Sequence, residues 1–120
     1  LLAANFLDDG DRLWLIDYEY AGFGTCLFDL AGAASNAGMD GPQSRALLAA
    51  YLGHAPGAAV RRAFDAMQVA AQLRETLWAR VSARHLNAPG ADYAAYATET
   101  AAKLAVALDH YQTIHGKMSA

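Results

Sequence analysis

The tetrapeptide Asp8-Asp9-Gly10-Asp11 separates two short apolar runs, Phe6-Leu7 and Leu13–Ile16. An Asp-Gly turn between two apolar runs is a strong short-range hairpin signal. A hairpin here brings Asn5, just before the first run, beside Asp17, just after the second. One amide oxygen and one carboxylate converging at a strand end suit a hard cation such as Mg²⁺. Asn and Asp are also ordinary turn residues, and on these two positions alone both readings stand. Within the second run, Trp14 alternates with Leu13 and Leu15 and is expected on the opposite face from both.

The rest of the chain reads as helix. After a loop from Tyr18 to Gly24, rich in Gly and aromatics, Phe28 to Ala37 forms a first helix ending near Gly38. Asp29 falls in its first turn, where a carboxylate is favourable to the helix dipole. Gly41-Pro42 opens a second helix, Gln43 to Leu52, with Leu47, Leu48, Tyr51 and Leu52 on its apolar side. Gly53 to Gly57, containing Pro56, is a connector. A long helix follows from Ala58 to about His85, with Val60, Phe64, Met67, Ala71, Arg74, Leu77 (or Trp78) and Val81 sampling one face. Asn87-Ala88-Pro89-Gly90 ends it. Asp92 is placed to cap a last helix to about His115, ahead of Gly116 and a polar tail. The fold class is therefore mainly α with a short N-terminal β-hairpin, an α+β arrangement.

A chain of 120 residues is one domain at most. Its apolar fraction of 55% is enough for a core, and much of it is Ala, which favours closely approaching helices. The net charge of −3 argues against a nucleic-acid footprint. No strongly apolar run is long enough for a membrane span, and no basic segment precedes Leu1 in the manner of a signal peptide. The lone Cys26 cannot form an internal disulfide; it fits a reducing compartment and is expected as a small buried hydrophobe. A cytoplasmic location is expected. His54, His85, His110 and His115 have no ligand spacing and read as surface or capping residues.

Three stretches carry a resemblance. Leu1-Leu2-Ala3-Ala4-Asn5-Phe6, then Ile16-Asp17-Tyr18-Glu19-Tyr20-Ala21-Gly22, then Phe28-Asp29-Leu30-Ala31 closely resemble the choline/ethanolamine kinase family, part of the aminoglycoside phosphotransferase and protein-kinase-like group. The resemblance is dense over residues 1–31 and thinner to about Tyr96. The family's catalytic motif reads His-x-Asp-x-x-x-x-Asn, and Asn5 fits its final position. The resemblance implies that the catalytic Asp lies before Leu1, so no catalytic base is expected within the chain. It further implies part of the C-terminal lobe of a kinase-like fold spanning residues 1–120. Residues 1–25 would form the metal-site hairpin and loop, and residues 26–120 the helical substrate-binding part. Asn5 and Asp17 would hold Mg²⁺ on ATP. Glu19 would act as an acid near metal or substrate, or simply pair with an Arg. Asp29 in the family supports the catalytic loop by hydrogen bonding, a structural role like its place in the helix.

The resemblance also implies a substrate pocket. Trp78 and Tyr93 match the family's aromatic positions around an ammonium group, which attracts aromatic faces at about 0.5–2 kcal/mol per ring. Tyr96, one turn beyond Tyr93, would line the same cleft or pack. Asn36 aligns with an acid that faces the substrate cation in the choline kinases of higher organisms; an Asn cannot neutralise a quaternary ammonium. Glu75 stands where those enzymes carry another Trp, and its carboxylate offers an offsetting charge for a cationic amine.

The whole protein would then move the γ-phosphoryl of ATP to the hydroxyl of a small amino-alcohol, choline or ethanolamine. Its partners would be that acceptor, ATP and the N-terminal lobe, with no nucleic acid and no membrane span. The segment alone, lacking the base and the first lobe, would be inactive. One alternative is a kinase for another small molecule, an aminoglycoside, thiamine or a sugar. The other is a non-catalytic truncated helical module.

Overall fold

A computed structural model of the chain describes residues 1–19 and 21–117. Tyr20, within the Gly-aromatic loop, and the polar tail from Met118 lie outside the described residues. A single 3₁₀ turn, Ala3–Asn5, leads into strands β1 (Phe6–Asp8) and β2 (Leu13–Leu15). Four helices follow: α1 (Cys26–Asn36), α2 (Gly41–Leu52), α3 (Ala58–His85) and α4 (Tyr93–His115).

The hairpin forms as the Asp-Gly turn dictates. The strands pair antiparallel, with Phe6 opposite Leu15, Leu7 opposite Trp14 and Asp8 opposite Leu13. Gly10 takes φ +93°, a conformation closed to most side chains. Asp9 braces the reversal. Its Oδ1 accepts from the Asp11 and Arg12 amides at 3.0 and 2.8 Å, and its Oδ2 accepts from Trp14 Nε1 at 2.7 Å. The Trp14 bond first, and the two backbone bonds after it, hold the Asp9 carboxyl below the usual carboxylate range. Leu13 (66% exposed) and Trp14 (50%) lie on opposite faces, yet neither face is buried.

Helix ends follow local chemistry. Thr25 Oγ1 accepts from the Leu27 amide at 3.4 Å, so α1 opens at Cys26 rather than at Phe28. That places Cys26 in an exposed first turn, correcting the expectation that it is buried. Asp40 starts α2 with a capping box that the Gly41-Pro42 signal had masked. Its Oδ1 accepts from the Gln43 amide at 2.8 Å, and Gln43 Oε1 accepts from the Asp40 amide at 2.9 Å. Asp92 caps α4 through the Ala95 amide at 2.8 Å. Replacing Asp40 by Ala is expected to lower stability by about 1 kcal/mol, measured by urea unfolding; no change would mean that Pro42 alone sets the helix start.

The core sits where α1, α2 and the first half of α3 meet. Ala31 and Ala34 of α1 are fully buried against Leu48 of α2 and Phe64 of α3, with Leu27, Leu30, Leu47, Val60 and Met67 packed around them. Tyr51, expected on the buried side of α2, is 54% exposed. Along α3 the expected face holds at Phe64 and Ala71, with Val60 and Met67 partly buried. It then fails: Arg74, Leu77 and Val81 are exposed, while Thr76, Ala79 and Ser82 are buried. The reason is α4, which packs along α3 and runs antiparallel to it. Arg62 meets Tyr111 near one end, and Glu75 meets Tyr96 further along. Small side chains let two helices approach closely, and the buried hydroxyls are satisfied within their own helices, Thr76 Oγ1 on the Gln72 carbonyl at 2.8 Å and Thr100 Oγ1 on that of Tyr96 at 3.0 Å. His115, expected at the surface, is instead packed: its Nε2 lies 2.7 Å from Asp65 Oδ2 and its ring 5.0 Å from that of Tyr111.

Candidate functional site

The antiparallel register closes the hairpin so that its two ends share a hydrogen-bond pair. The Ile16 amide donates to the Asn5 carbonyl at 3.0 Å, and Asn5 Nδ2 donates to Asp17 Oδ2 at 3.1 Å. Asp17 then takes φ +67°, the one described non-Gly residue in the left-handed region. Asp tolerates that region better than most residues, yet such strain persists only where its surroundings enforce it, and it concentrates at functional sites. The turn swings the chain into the loop at Tyr18–Thr25, which the Ala21 amide tightens by donating to the Tyr18 carbonyl at 2.9 Å.

That loop forms one wall of a cleft of about 1130 Å³. The hairpin end supplies Asn5 and Asp17; α1 supplies Phe28, Asp29 and Asn36; the middle of α3 supplies Arg74, Glu75 and Trp78; the start of α4 supplies Asp92, Tyr93 and Tyr96. All seven residues singled out from the sequence, Asn5, Asp17, Glu19, Asn36, Glu75, Trp78 and Tyr93, line this one cleft. A second cavity of about 740 Å³, between α2, α3 and α4, contains none of them.

The cleft lining carries two chemically distinct groups of residues. In one, Asn5 and Asp17 present hard oxygen donors. Among the described residues no cluster of three His, Cys, Asp or Glu side chains is placed to hold a metal. An amide and a carboxylate are nevertheless a fitting set for Mg²⁺ in the presence of a nucleotide, because that ion keeps several waters and takes phosphate oxygens, needing only one or two carboxylates from protein.

In the other, Trp78 sits between two tyrosines. Its ring centroid is 6.2 Å from that of Tyr93 and 6.2 Å from that of Tyr96, with interplanar angles of 70° and 82°, the favourable edge-to-face arrangement. Trp78 remains 43% exposed. Glu75, one turn before it, accepts from the Tyr96 hydroxyl at 2.6 Å. Burial first, and the Glu75 carboxylate second, push the Tyr96 hydroxyl well above the usual tyrosine range, so it stays a donor at neutral pH. Asn36 has a structural duty: its Nδ2 donates to the Leu1 carbonyl at 2.9 Å and ties the chain's first residue to α1. Glu19 is exposed at the cleft margin. Several lining residues were not singled out from the sequence for this cleft, Arg74 and Tyr18 among them. Arg74 had been assigned to the apolar face of α3, and the Tyr18 side chain of the loop gave no signal beyond being aromatic.

No family model and no curated protein matches the chain. A solved structure does. A choline/ethanolamine kinase family protein from Mesorhizobium loti superposes with a TM-score of 0.82 over 90% of this chain at 30% identity. The chain resembles the choline/ethanolamine kinase family in both sequence and fold. It spans 36% of that protein's length. The hairpin and four helices are thus part of a kinase-like fold. No described helix is long and apolar enough to cross a membrane.

Proposed function

We propose that this chain is the acceptor-binding and metal-holding part of a phosphotransferase that moves the γ-phosphoryl group of ATP to the hydroxyl of a small amino-alcohol. The observation that carries the reading is the single cleft. It puts an oxygen-donor pair, Asn5 with Asp17, and an aromatic group with a carboxylate, Trp78, Tyr93 and Glu75, around one volume large enough for both substrates. Asn5 and Asp17 would hold Mg²⁺, which when bound supplies charge neutralisation for the phosphates. The hydrogen bond between their side chains sets the spacing of the two donors before anything binds. Trp78 and Tyr93 would attract the ammonium end of the acceptor and turn its hydroxyl toward the metal. A catalytic base upstream of Leu1, supplied by the intact protein, would take the hydroxyl proton. The N-terminal lobe of that protein would complete the ATP site, and the isolated segment would be inactive.

The test is ATP consumption with Mg²⁺ by the intact protein that carries this segment, with choline, ethanolamine, thiamine and an aminoglycoside offered in parallel. Turnover with choline or ethanolamine is expected. Turnover only with thiamine or the aminoglycoside would keep the phosphotransferase and discard the aromatic pocket. Failure with all of them would favour a non-catalytic helical module.

A further inference from the structure

The Glu75 carboxylate is half used. Its side chain is only 16% exposed. Oε1 is taken by the Tyr96 hydroxyl at 2.6 Å. Oε2 accepts no hydrogen bond among the described residues; Arg74 Nη1 approaches it at 3.8 Å, beyond hydrogen-bond reach, from a side chain that is 55% exposed. A carboxylate can accept about four hydrogen bonds; Glu75 Oε2 is not among the buried unpartnered atoms of the described residues, so it stays open to the cleft and free to take a donor. Glu75 lines the cleft together with Trp78 and Tyr93, where a bound cation would sit.

Resting on the amino-alcohol reading above, we infer that Tyr96 positions Glu75 so that the pocket selects an ammonium group still carrying an N–H, and discriminates against a fully methylated one. Two kinds of attraction are available in the pocket. The aromatic rings attract any cation, methylated or not. The free Glu75 oxygen gains a charge-assisted hydrogen bond only from a donor. A trimethylammonium group has no N–H, and its methyl groups hold the charge away from the carboxylate. A dimethylammonium group retains one N–H and can still make the bond. The discrimination therefore falls at the last methylation step rather than rising evenly along the series. Tyr96 contributes by anchoring the other oxygen, which restrains the carboxylate and leaves one acceptor free for the ligand. Its two-ring contact with Trp78 couples that anchor to the aromatic wall.

The experiment uses the intact protein and four ligands: ethanolamine, its N-methyl and N,N-dimethyl derivatives, and choline. Calorimetric Kd and ATP-dependent kcat/KM are measured for each. The first three are expected to bind within a few-fold of one another, and choline roughly 10- to 100-fold more weakly, the worth of one hydrogen bond to a charged group. In Glu75→Gln the last step should collapse toward unity. In Tyr96→Phe it should shrink several-fold, mainly through KM for the N–H acceptors, with thermal melting confirming the fold. A loss of stability alone would leave the ratio between ligands unmoved. Choline binding as tightly as the dimethyl amine overturns the inference, as does a step that survives in Glu75→Gln; turnover in either case leaves phosphoryl transfer standing. The expected step in binding without any ATP consumption supports the selectivity and overturns phosphoryl transfer. No binding by any of the four overturns both.

Discussion

Replacing Asp17 by Ala in the intact protein is expected to lower ATP-dependent phosphoryl transfer about a thousandfold while leaving the fold in place. Charge stabilisation by a bound metal is worth several kcal/mol, and each ~1.4 kcal/mol is tenfold in rate. Asp17 supplies the carboxylate proposed to hold the metal, and it is held in place by Asn5 Nδ2 at 3.1 Å. Its φ of +67° calls for a careful choice of variant, since Ala tolerates the left-handed region less well than Asp. Asp17→Asn keeps both the shape and the backbone tolerance and removes only the charge. The expected outcome is that Asn costs nearly as much activity as Ala, with an unchanged melting temperature and an activity that excess Mg²⁺ partly restores. Full activity in Asp17→Asn would remove Asp17 from the metal site and leave it as a turn residue.

Truncating Phe64 to Ala is expected to destabilise the chain by about 3–5 kcal/mol. Phe64 is 3% exposed and fills the junction where α3 meets Ala31, Ala34 and Leu48. The two alanines facing it have no side-chain length with which to collapse into the space left behind, so the cavity stays open and the cost lies toward the upper end. A small domain has only about 5–15 kcal/mol of stability, so this change consumes much of it. Chemical denaturation of the two forms measures it. A loss below about 1 kcal/mol would mean that the helices slide to close the gap. The same change on the exposed side of α3, at Leu77 or Val81, is expected to have little effect, which contrasts the real buried face with the one that apolar periodicity suggested.

Much of the site was legible because its first half is local. Asn5 and Asp17 are twelve residues apart, and an Asp-Gly reversal is enough to join them. The helix ends were marked by the Gly-Pro opening of α2, by the Asn-Ala-Pro-Gly break and by Asp92. Where boundaries moved, at Cys26 and Gly41, a cap one residue upstream (Thr25 or Asp40) set the start in place of the first strongly apolar position. The aromatic group of the cleft was reached differently, through likeness to a known family, since nothing in the spacing of Glu75, Trp78 and Tyr93 predicts that they meet.

What the chain's order of residues determined alone was the hairpin, the number and limits of the helices, and the pairing of Asn5 with Asp17. These depend on turn chemistry, caps and interactions between near neighbours. Tertiary structure alone decided which face of α3 is buried, that Glu75 meets Tyr96 across 21 residues, and that the Asn36 amide holds the Leu1 carbonyl across 35. Those contacts depend on how closely α4 approaches α3 and how α1 meets the entry segment. Small residues such as Ala79 and Ser82 permit that approach without announcing it, because their contribution comes from the space they leave rather than from their own apolar area.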